Sequence, residues 1–410
     1  MAKQFINIDD LRKRARRRLP RMLFDFIEGG AEDEHTLRSN RQGFELVRLR
    51  PRVLVDVAER SLRTTVAGET LSLPVLLAPV GLARIAGPAG ELAAARAATK
   101  AGTVSVVSTA ASATIEEVAR VSERPQWFQL YPWGDRDSVT SMIERAKRAG
   151  YTTMVVTVDV PITGARERDL YNGMTVPPKP TLRNLADLAR HPRWLASLAF
   201  GPPINFANLA GESGAGRTNV VSLARRHERL VNPGHTWEDL RWMRDLWPGK
   251  VLLKGVTCGE DAVLAVDAGC DGVVVSNHGG RQTDHVPATI QVLPEVVHAV
   301  GDRIDVLLDG GVRRGTDVVK ALALGARAVL VGRPWVYGLA ADGDQGVGRA
   351  LEIFAEEIDR TLALLGVADV QDLRPANVRL DRAFGLASPM WTVDGPADPL
   401  ANTRLAQPMS

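Results

Sequence analysis

Short runs of apolar residues recur along the chain, and amphipathic segments of helical length separate them. The eight runs are residues 73–79, 103–109, 126–131, 152–159, 250–256, 272–277, 305–310 and 328–333. Continuous apolar runs of this length are typical of parallel strands that are buried on both faces. The segments between them predict helices at 90–101, 137–149, 260–268 and 315–324. This alternation predicts an α/β fold, a closed (β/α)8 TIM barrel, and a doubly wound sheet is the alternative.

The rest of the sequence divides into a preamble, an insertion and a tail. Residues 1–69 predict a helical preamble with helices at 8–19 and 20–28, the second of which ends at Gly29 and Gly30. Residues 70–380 would form the barrel domain and residues 381–410 a C-terminal tail. A long loop insertion at 174–231, after strand four, greatly exceeds a normal crossover. Two interpretations of it stay open, a lid or binding loop and a disordered surface excursion.

Within the insertion, the apolar stretch 194–206 (WLASLAFGPPINF) is interrupted by Pro202 and Pro203. It predicts a lid or a contact with a membrane surface. Neither a signal-peptide pattern nor an apolar run of transmembrane length occurs in the sequence. We therefore expect a cytoplasmic protein. Peripheral contact with the inner face of the cell membrane stays open as an option.

Charge and cysteine content argue against several classes of function. The 410-residue chain has a formal net charge of only +3. Its densest basic run, residues 12–18 (RKRARRR), fits a solvated helix face better than a nucleic-acid patch. Cys258 and Cys270 form no CxxC pattern, which argues against a disulfide framework or a zinc site. We expect no nucleic-acid partner and no metal.

Polar residues follow the ends of the predicted strands, most clearly in the stretch 273–290 (VVVSNHGGRQTDHVPATI), where a β-branched run delivers His278 and Arg281. In TIM barrels the active groups lie at the carboxyl ends of the strands. The groups that should converge there are Pro79, Val80, Gly81, Ser108, Thr109, Gln129, Tyr131, Thr157, Asp159, Lys254, Ser276, Asn277, His278, Arg281, Asp309, Gly310, Gly311, Arg313, Gly332 and Arg333.

The last two strands end in DGGVRRG and VGRP, which fits the phosphate site that many barrels form at this place. The alternative is a pair of glycine turns with surface arginines. Lys254 ends an apolar strand, where burial of an unpaired ammonium would be costly. It could be a Schiff-base nucleophile, a salt-bridged structural residue, or a fixed cation beside a flavin ring that becomes anionic on reduction.

Several segments are similar to those of one known family. SNHGGRQTD closely resembles the family's SNHGGRQLD, and LDGGVRRGTDVVKALALGA, IEGGAEDE, WFQLY and TVDVPITGARERDL also resemble family segments. Over residues 8–380 the chain resembles the FMN-dependent α-hydroxy acid oxidases and dehydrogenases, which include glycolate oxidase, flavin L-lactate dehydrogenase and mandelate dehydrogenase. This resemblance implies oxidation of a small-molecule L-2-hydroxy acid to the 2-oxo acid. It also implies a homo-oligomer, often a tetramer, and oxygen, a quinone or a cytochrome as electron acceptor.

The resemblance also implies roles for residues. His278 would be the catalytic base and Asp159 its partner, while Tyr131 would hydrogen-bond the reacting end of the substrate. Arg166 and Arg281 would bind the substrate carboxylate. The FMN ring and ribityl chain would be lined by Pro79, Val80, Gly81, Ser108, Gln129, Thr157, Lys254 and Ser276. The ribityl and phosphate groups would be held by Asp309, Gly310, Gly311, Val312, Arg313, Gly332 and Arg333.

Two positions depart from the family pattern. Phe26 stands where the family commonly has a tyrosine that hydrogen-bonds the substrate carboxylate, and a bond of this kind is worth about 1.5–3 kcal/mol. Ala110 stands where several relatives carry a bulkier aromatic residue. Together they favour a bulky or aryl substrate over glycolate. An isomerase, an atypical substrate and a non-catalytic flavin-binding protein are the alternatives.

Overall fold

The computed structural model describes residues 5–174, 181–210 and 231–387. Its centre is an eight-stranded parallel sheet, in which each strand from β5 to β10 pairs with the strand that follows it in sequence. The strands are β4 (Val75–Leu77), β5 (Val106–Ser108), β6 (Trp127–Leu130), β7 (Thr153–Thr157), β8 (Lys250–Val256), β9 (Gly272–Val275), β10 (Asp305–Leu308) and β11 (Ala328–Val331). The last strand pairs with the first, and Leu77 bridges to Ser105. The predicted TIM barrel is confirmed.

Successive residues of each barrel strand face opposite sides of the sheet. Leu76, Val155 and Leu252 belong to the cluster that fills the barrel interior. Their neighbours Leu77 and Val156 pack outwards against the helices. Both faces of the sheet are therefore apolar, which explains why the strands read as continuous apolar runs.

Helices surround the barrel and precede it. They are α1 (Ile8–Arg18), α2 (Arg21–Glu28), α3 (His35–Glu45), α4 (Gly90–Ala101), α5 (Ile115–Val121), α6 (Arg136–Arg148), α7 (Glu167–Tyr171), α8 (Leu182–Ala189), α9 (Pro192–Phe200), α10 (Ala207–Ala210), α11 (Trp237–Leu246), α12 (Gly259–Asp267), α13 (Thr289–Val300), α14 (Gly315–Ala323) and α15 (Arg333–Leu365). The first two lie where the preamble helices were predicted. Three short strands, β1 (Val47–Leu49), β2 (Thr64–Val66) and β3 (Glu69–Leu71), complete the preamble.

The hairpin of β2 and β3 closes the amino-terminal end of the barrel. Its Val66 and Leu71 are fully buried in the interior cluster. The Ala67 amide donates to the carboxylate of Asp305 at the start of β10, at 2.8 Å. Near the other chain end, β12 (Val378–Leu380) pairs antiparallel with β1. This pairing ties the end of the predicted barrel domain to the preamble.

The insertion carries helices α8, α9 and α10 where the sequence predicted a loop. The Thr181 side chain caps the first of them by accepting from the Asn184 amide at 3.1 Å. Residues 175–180 and 211–230 of the insertion, and 388–410 of the predicted tail, lie outside the described residues.

Candidate active site

The loop after β9 turns sharply at the carboxyl rim of the barrel. His278 has a φ of +55°, and Gly279 and Gly280 have φ of +64° and +73°. Positive φ is unfavourable for a residue with a Cβ, so surrounding contacts must hold His278 in place. One such contact is the His278 amide, which donates to Ser276 Oγ at 3.1 Å. The turn directs the imidazole back over the rim.

The predicted triad of His278, Asp159 and Tyr131 comes together there. His278 Nδ1 lies 2.9 Å from Asp159 Oδ1, and the Tyr131 hydroxyl lies 3.3 Å from His278 Nε2. A carboxylate can only accept, so Nδ1 carries the proton and Nε2 is left as an acceptor or base. Burial, with Lys254 and Arg166 nearby, lowers the pKa of His278, although Asp159 opposes the shift. Burial also raises the pKa of Tyr131, to about 12 with help from Asp159, so the phenol stays protonated.

Three arginines gather beside this triad. Arg281 Nη1 donates to the carbonyl oxygens of Phe26 and Gly29 at 2.8 and 2.9 Å. Arg166 Nε approaches the Arg281 carbonyl oxygen at 3.4 Å. Arg333 donates to carbonyl oxygens of Ile27, Gly279 and Gly29 at 2.8–3.0 Å. Burial, with Arg166 and Arg333 nearby, lowers the pKa of Arg281 well below its usual range. Such a cluster is suited to an anionic ligand.

Lys254 lies inside the rim, paired with a carboxylate. Its Nζ is 3.2 Å from Asp309 Oδ2 and donates to Ser276 Oγ at 2.9 Å. Burial opposes its charge, but Asp309 and Asp159 raise the pKa of Lys254 above its usual value. The ammonium is therefore a fixed cation, and the structure does not favour the Schiff-base alternative, which needs a lowered pKa.

Several polar atoms at the strand ends are buried without a partner. Among the described residues, Gln129 Nε2, Thr157 Oγ1, Asp309 Oδ1 and Asp159 Oδ2 are buried and make no hydrogen bond. Buried polar groups are almost always paired, so the first three atoms fit the polar edges and hydroxyls of a bound flavin mononucleotide. Ser108 is already bonded, because its Oγ donates to Gln129 Oε1 at 2.7 Å.

The phosphate end was predicted at the loops after β10 and β11. Gly310 and Gly311 have φ of +90° and +83°, a backbone shape that brings N–H groups close to an anion. A Cβ on Gly332 would meet no atom closer than 3.9 Å, so space is open above it. Arg313 lies over the Tyr337 ring at 5.9 Å. Val312 is 2% exposed, so it adds little to the surface that a ligand could contact. Pro79, Val80 and Gly81 line the same rim, half-buried.

Comparison with known proteins agrees with this geometry. Residues 15–380 match the family model described as FMN-dependent dehydrogenase. The chain belongs to this family. It is 44% identical to (S)-mandelate dehydrogenase of Pseudomonas putida over 92% of this chain and 94% of the relative. It is 43% identical to L-lactate oxidase of Nostoc sp. over 90% of this chain and 96% of the relative.

A crystal structure of monotopic membrane protein (S)-mandelate dehydrogenase superposes with a TM-score of 0.88 at 43% identity, covering 92% of this chain and all of that one (100%). This FMN-dependent dehydrogenase is thus an oxidoreductase that acts on CH–OH donors, as its relatives are. None of the helices in the described ranges combines the length and apolar character needed to cross a bilayer.

Three residues that help to build the site were not singled out from the sequence. Asn40 and Gln282 join the rim to neighbouring segments: Gln282 Nε2 donates to the carbonyl oxygens of Asp159 and Ile162 at 3.0 and 2.9 Å. Trp133 stacks on Tyr131. Trp133, an aromatic residue two positions after a strand-end tyrosine, and Gln282, within the SNHGGRQTD segment, carried a signal in the sequence, whereas Asn40 carried none.

Proposed function

We propose that this protein oxidises an L-2-hydroxy acid with a bulky or aryl side chain to the 2-oxo acid. The observation that carries the proposal is the grouping of His278, Asp159 and Tyr131 beside Arg281 at one rim. FMN, when bound, takes up the two electrons that leave the substrate carbon. The residues described above as lining the rim would hold it, with Lys254 as a buried cation paired with Asp309.

His278 would take up a proton from the substrate through Nε2. Its lowered pKa keeps the imidazole neutral, and therefore basic, at neutral pH. Asp159 then stabilises the imidazolium that forms, because its carboxylate already accepts from Nδ1 at 2.9 Å. Tyr131, protonated at neutral pH, would donate a hydrogen bond to the reacting end.

Arg166 and Arg281 would bind the substrate carboxylate. Planar guanidinium groups donate paired hydrogen bonds to a carboxylate, which a lysine cannot do. Burial lowers the pKa of both arginines, so a bound anion would relieve the cost of keeping them charged. Both bonds of Arg281 to backbone carbonyl oxygens use Nη1, and its other N–H groups are the donors we assign to the carboxylate.

Phe26 and Ala110 support a bulky substrate. The Arg281 guanidinium lies 5.2 Å from the centre of the Phe26 ring, so an apolar face borders the carboxylate site. A Cβ added to Gly81 would lie 2.9 Å from the Ala110 Cβ, so two small residues adjoin at the rim. The high similarity to an enzyme named for (S)-mandelate, an aryl 2-hydroxy acid, agrees with this choice.

The substrate proposal is tested by anaerobic mixing of the FMN-loaded protein with both enantiomers of mandelate, phenyllactate and lactate, and with achiral glycolate. We expect (S)-mandelate and (S)-phenyllactate to bleach the flavin fastest, and His278→Ala to retain FMN without being bleached. Fastest bleaching by glycolate would contradict the bulky substrate. Conversion of an acid without bleaching or consumption of an acceptor would support the isomerase alternative.

We also propose that helices α8 and α9 contact a membrane surface, where a quinone or cytochrome could serve as acceptor. Phe200, Leu198 and Leu185 are 90%, 48% and 51% exposed, and exposed Arg190 and Arg193 accompany them. Apolar and basic residues together suit anionic lipid surfaces. Anionic vesicles should carry the protein upwards in a flotation gradient. The double substitution Phe200→Ser and Leu198→Ser should reduce the fraction of protein that floats. Equal flotation of the two proteins would contradict the assigned surface.

A further inference from the structure

The loop that follows β6 places an aromatic stack directly behind Tyr131. The Trp133 indole lies almost parallel to the Tyr131 ring, with centroids 4.5 Å apart and planes within 7°. Trp133 is only 7% exposed, so surrounding atoms restrict its indole. The Tyr131 hydroxyl is in turn 3.3 Å from His278 Nε2. The phenol therefore cannot tilt towards Trp133 without displacing it.

Both flanks of the insertion hold this loop. Before residues 211–230, Phe206 packs edge-on against Trp133 with centroids 6.5 Å apart and planes at 78°. After them, His235 Nε2 donates to the Pro132 carbonyl oxygen at 2.6 Å. The two flanks therefore contact Pro132 and Trp133, the two residues that directly follow Tyr131.

The upstream flank is itself fixed to the barrel. Asn208 is fully buried, and its Oδ1 accepts from the Ile115 amide at 2.9 Å. The neighbouring Ala207 amide donates to the Ala111 carbonyl oxygen at 3.0 Å. These hydrogen bonds fix the backbone next to Phe206, and so hold its ring against Trp133.

We infer that Trp133 is a positioning residue for Tyr131, and that through Trp133 the insertion between β7 and β8 sets the orientation of the phenol beside His278. The inference rests on the proposed function, in which Tyr131 hydrogen-bonds the reacting end of the substrate. Reaction rates depend steeply on such alignment, since displacements of the order of 1 Å can cost about 100-fold. The insertion thereby acts on catalysis without touching the substrate.

The kinetic test compares Trp133→Leu with Trp133→Phe. Loss of the stack should lower the limiting rate of flavin reduction by about tenfold, with FMN retained and KM changed less. Phenylalanine should restore most of the rate because it keeps a ring. Trp242→Leu is the matched control, since Trp242 stacks with Arg136 on the outer surface. A full rate in Trp133→Leu would overturn the inference.

A double-mutant cycle tests whether Trp133 affects the rate through Tyr131. In a Tyr131→Phe background, which lacks the hydroxyl that Trp133 positions, Trp133→Leu should cause little further loss. An equal fold-loss in both backgrounds would show that Trp133 acts elsewhere, and would overturn the inference.

Fluorine NMR of 3-fluorotyrosine-labelled protein supplies a readout that needs no turnover. The chain has four tyrosines, and Tyr131→Phe assigns the signal of Tyr131. That signal should shift in Trp133→Leu and Phe206→Leu but not in Trp242→Leu; an unchanged signal would overturn the inference. If it shifts as expected while no 2-hydroxy acid reduces the flavin, the proposed function fails and the positioning of Tyr131 stands.

Discussion

Asn40 and Asn277 exchange two side-chain hydrogen bonds between the preamble and the catalytic loop. Asn40 Nδ2 donates to Asn277 Oδ1 at 2.8 Å, and Asn277 Nδ2 donates to Asn40 Oδ1 at 2.9 Å. Asn277 immediately precedes His278, and its Oδ1 also accepts from the Gly280 amide at 3.2 Å. The pair therefore ties α3 to the turn that holds the imidazole.

Asn40→Ala should destabilise the protein by about 1–3 kcal/mol, because the buried side-chain amide of Asn277 loses the two hydrogen bonds that it shares with Asn40. The Thr289 amide also loses its acceptor, Asn40 Oδ1, at 3.2 Å. Urea unfolding of the FMN-loaded protein measures the change. Ser39→Ala, on the same helix but with a weaker 3.4 Å contact to His35, is the control. Equal unfolding midpoints for the two variants would show that the amide pair contributes no stability.

Phe26→Tyr should improve the binding of small 2-hydroxy acids. The added hydroxyl would lie near the Arg281 guanidinium and could donate to the substrate carboxylate. One such bond is worth about 1.5–3 kcal/mol, so KM for lactate should fall by about 10- to 100-fold. Phe200→Tyr, at a 90% exposed position, is the control. An unchanged KM for lactate would mean that Phe26 does not border the carboxylate.

The pH profile of kcat/KM should rise with pH through the pKa of His278, because the neutral imidazole is the base. Burial lowers that pKa, which places the rise below about pH 6.5. Asp159 raises the pKa of His278, so Asp159→Asn should move the rise to lower pH. The plateau should also fall, on the order of 100-fold, because the imidazolium loses its partner. A rise that moves to higher pH in Asp159→Asn would contradict this coupling.

Asp284 should contribute stability that disappears in acid. Its carboxylate accepts from the amides of His35 and Thr36 at 3.0 and 2.6 Å, at the start of α3. Burial opposes the charge, but these bonds lower the pKa of Asp284 to about 2. The folded pKa lies below the unfolded value, so about 2 kcal/mol is present above pH 4 and is lost as the pH falls towards 2.

Urea midpoints measured from pH 7 to pH 3 test this. Asp284→Asn should be less stable than the parent at pH 7, and the difference should shrink at low pH. Asp33→Asn, at an exposed position nearby, is the control. A difference that is constant across this range would exclude the charge of Asp284 as its source.

The barrel and its polar rim follow from local sequence, because buried parallel strands are apolar on both faces and their ends are marked by polar residues and glycines. Lys254 and His278 could be singled out from the sequence, because each is a polar residue at the end of an apolar run. The pairing of Lys254 with Asp309 and Ser276 could not be predicted from the sequence, since these residues lie at the ends of three different strands.

Contacts across long stretches of sequence carry no local signature. Asn40 is an ordinary polar residue within an amphipathic helix, and only the folded chain brings it to Asn277. The β2–β3 hairpin consists of two three-residue strands, too short for a periodic pattern to emerge. The helices of the insertion were read as a loop because prolines and glycines flank them.

Val66 and Leu71 close the amino-terminal end of the barrel, so small molecules cannot pass through the barrel from that end. We therefore expect the 2-hydroxy acid, the 2-oxo acid and the electron acceptor all to enter and leave at the rim of strand ends. A large oxidant can then approach the site only after the 2-oxo acid has left it. Turnover should accordingly follow a ping-pong course, with parallel lines in double-reciprocal plots.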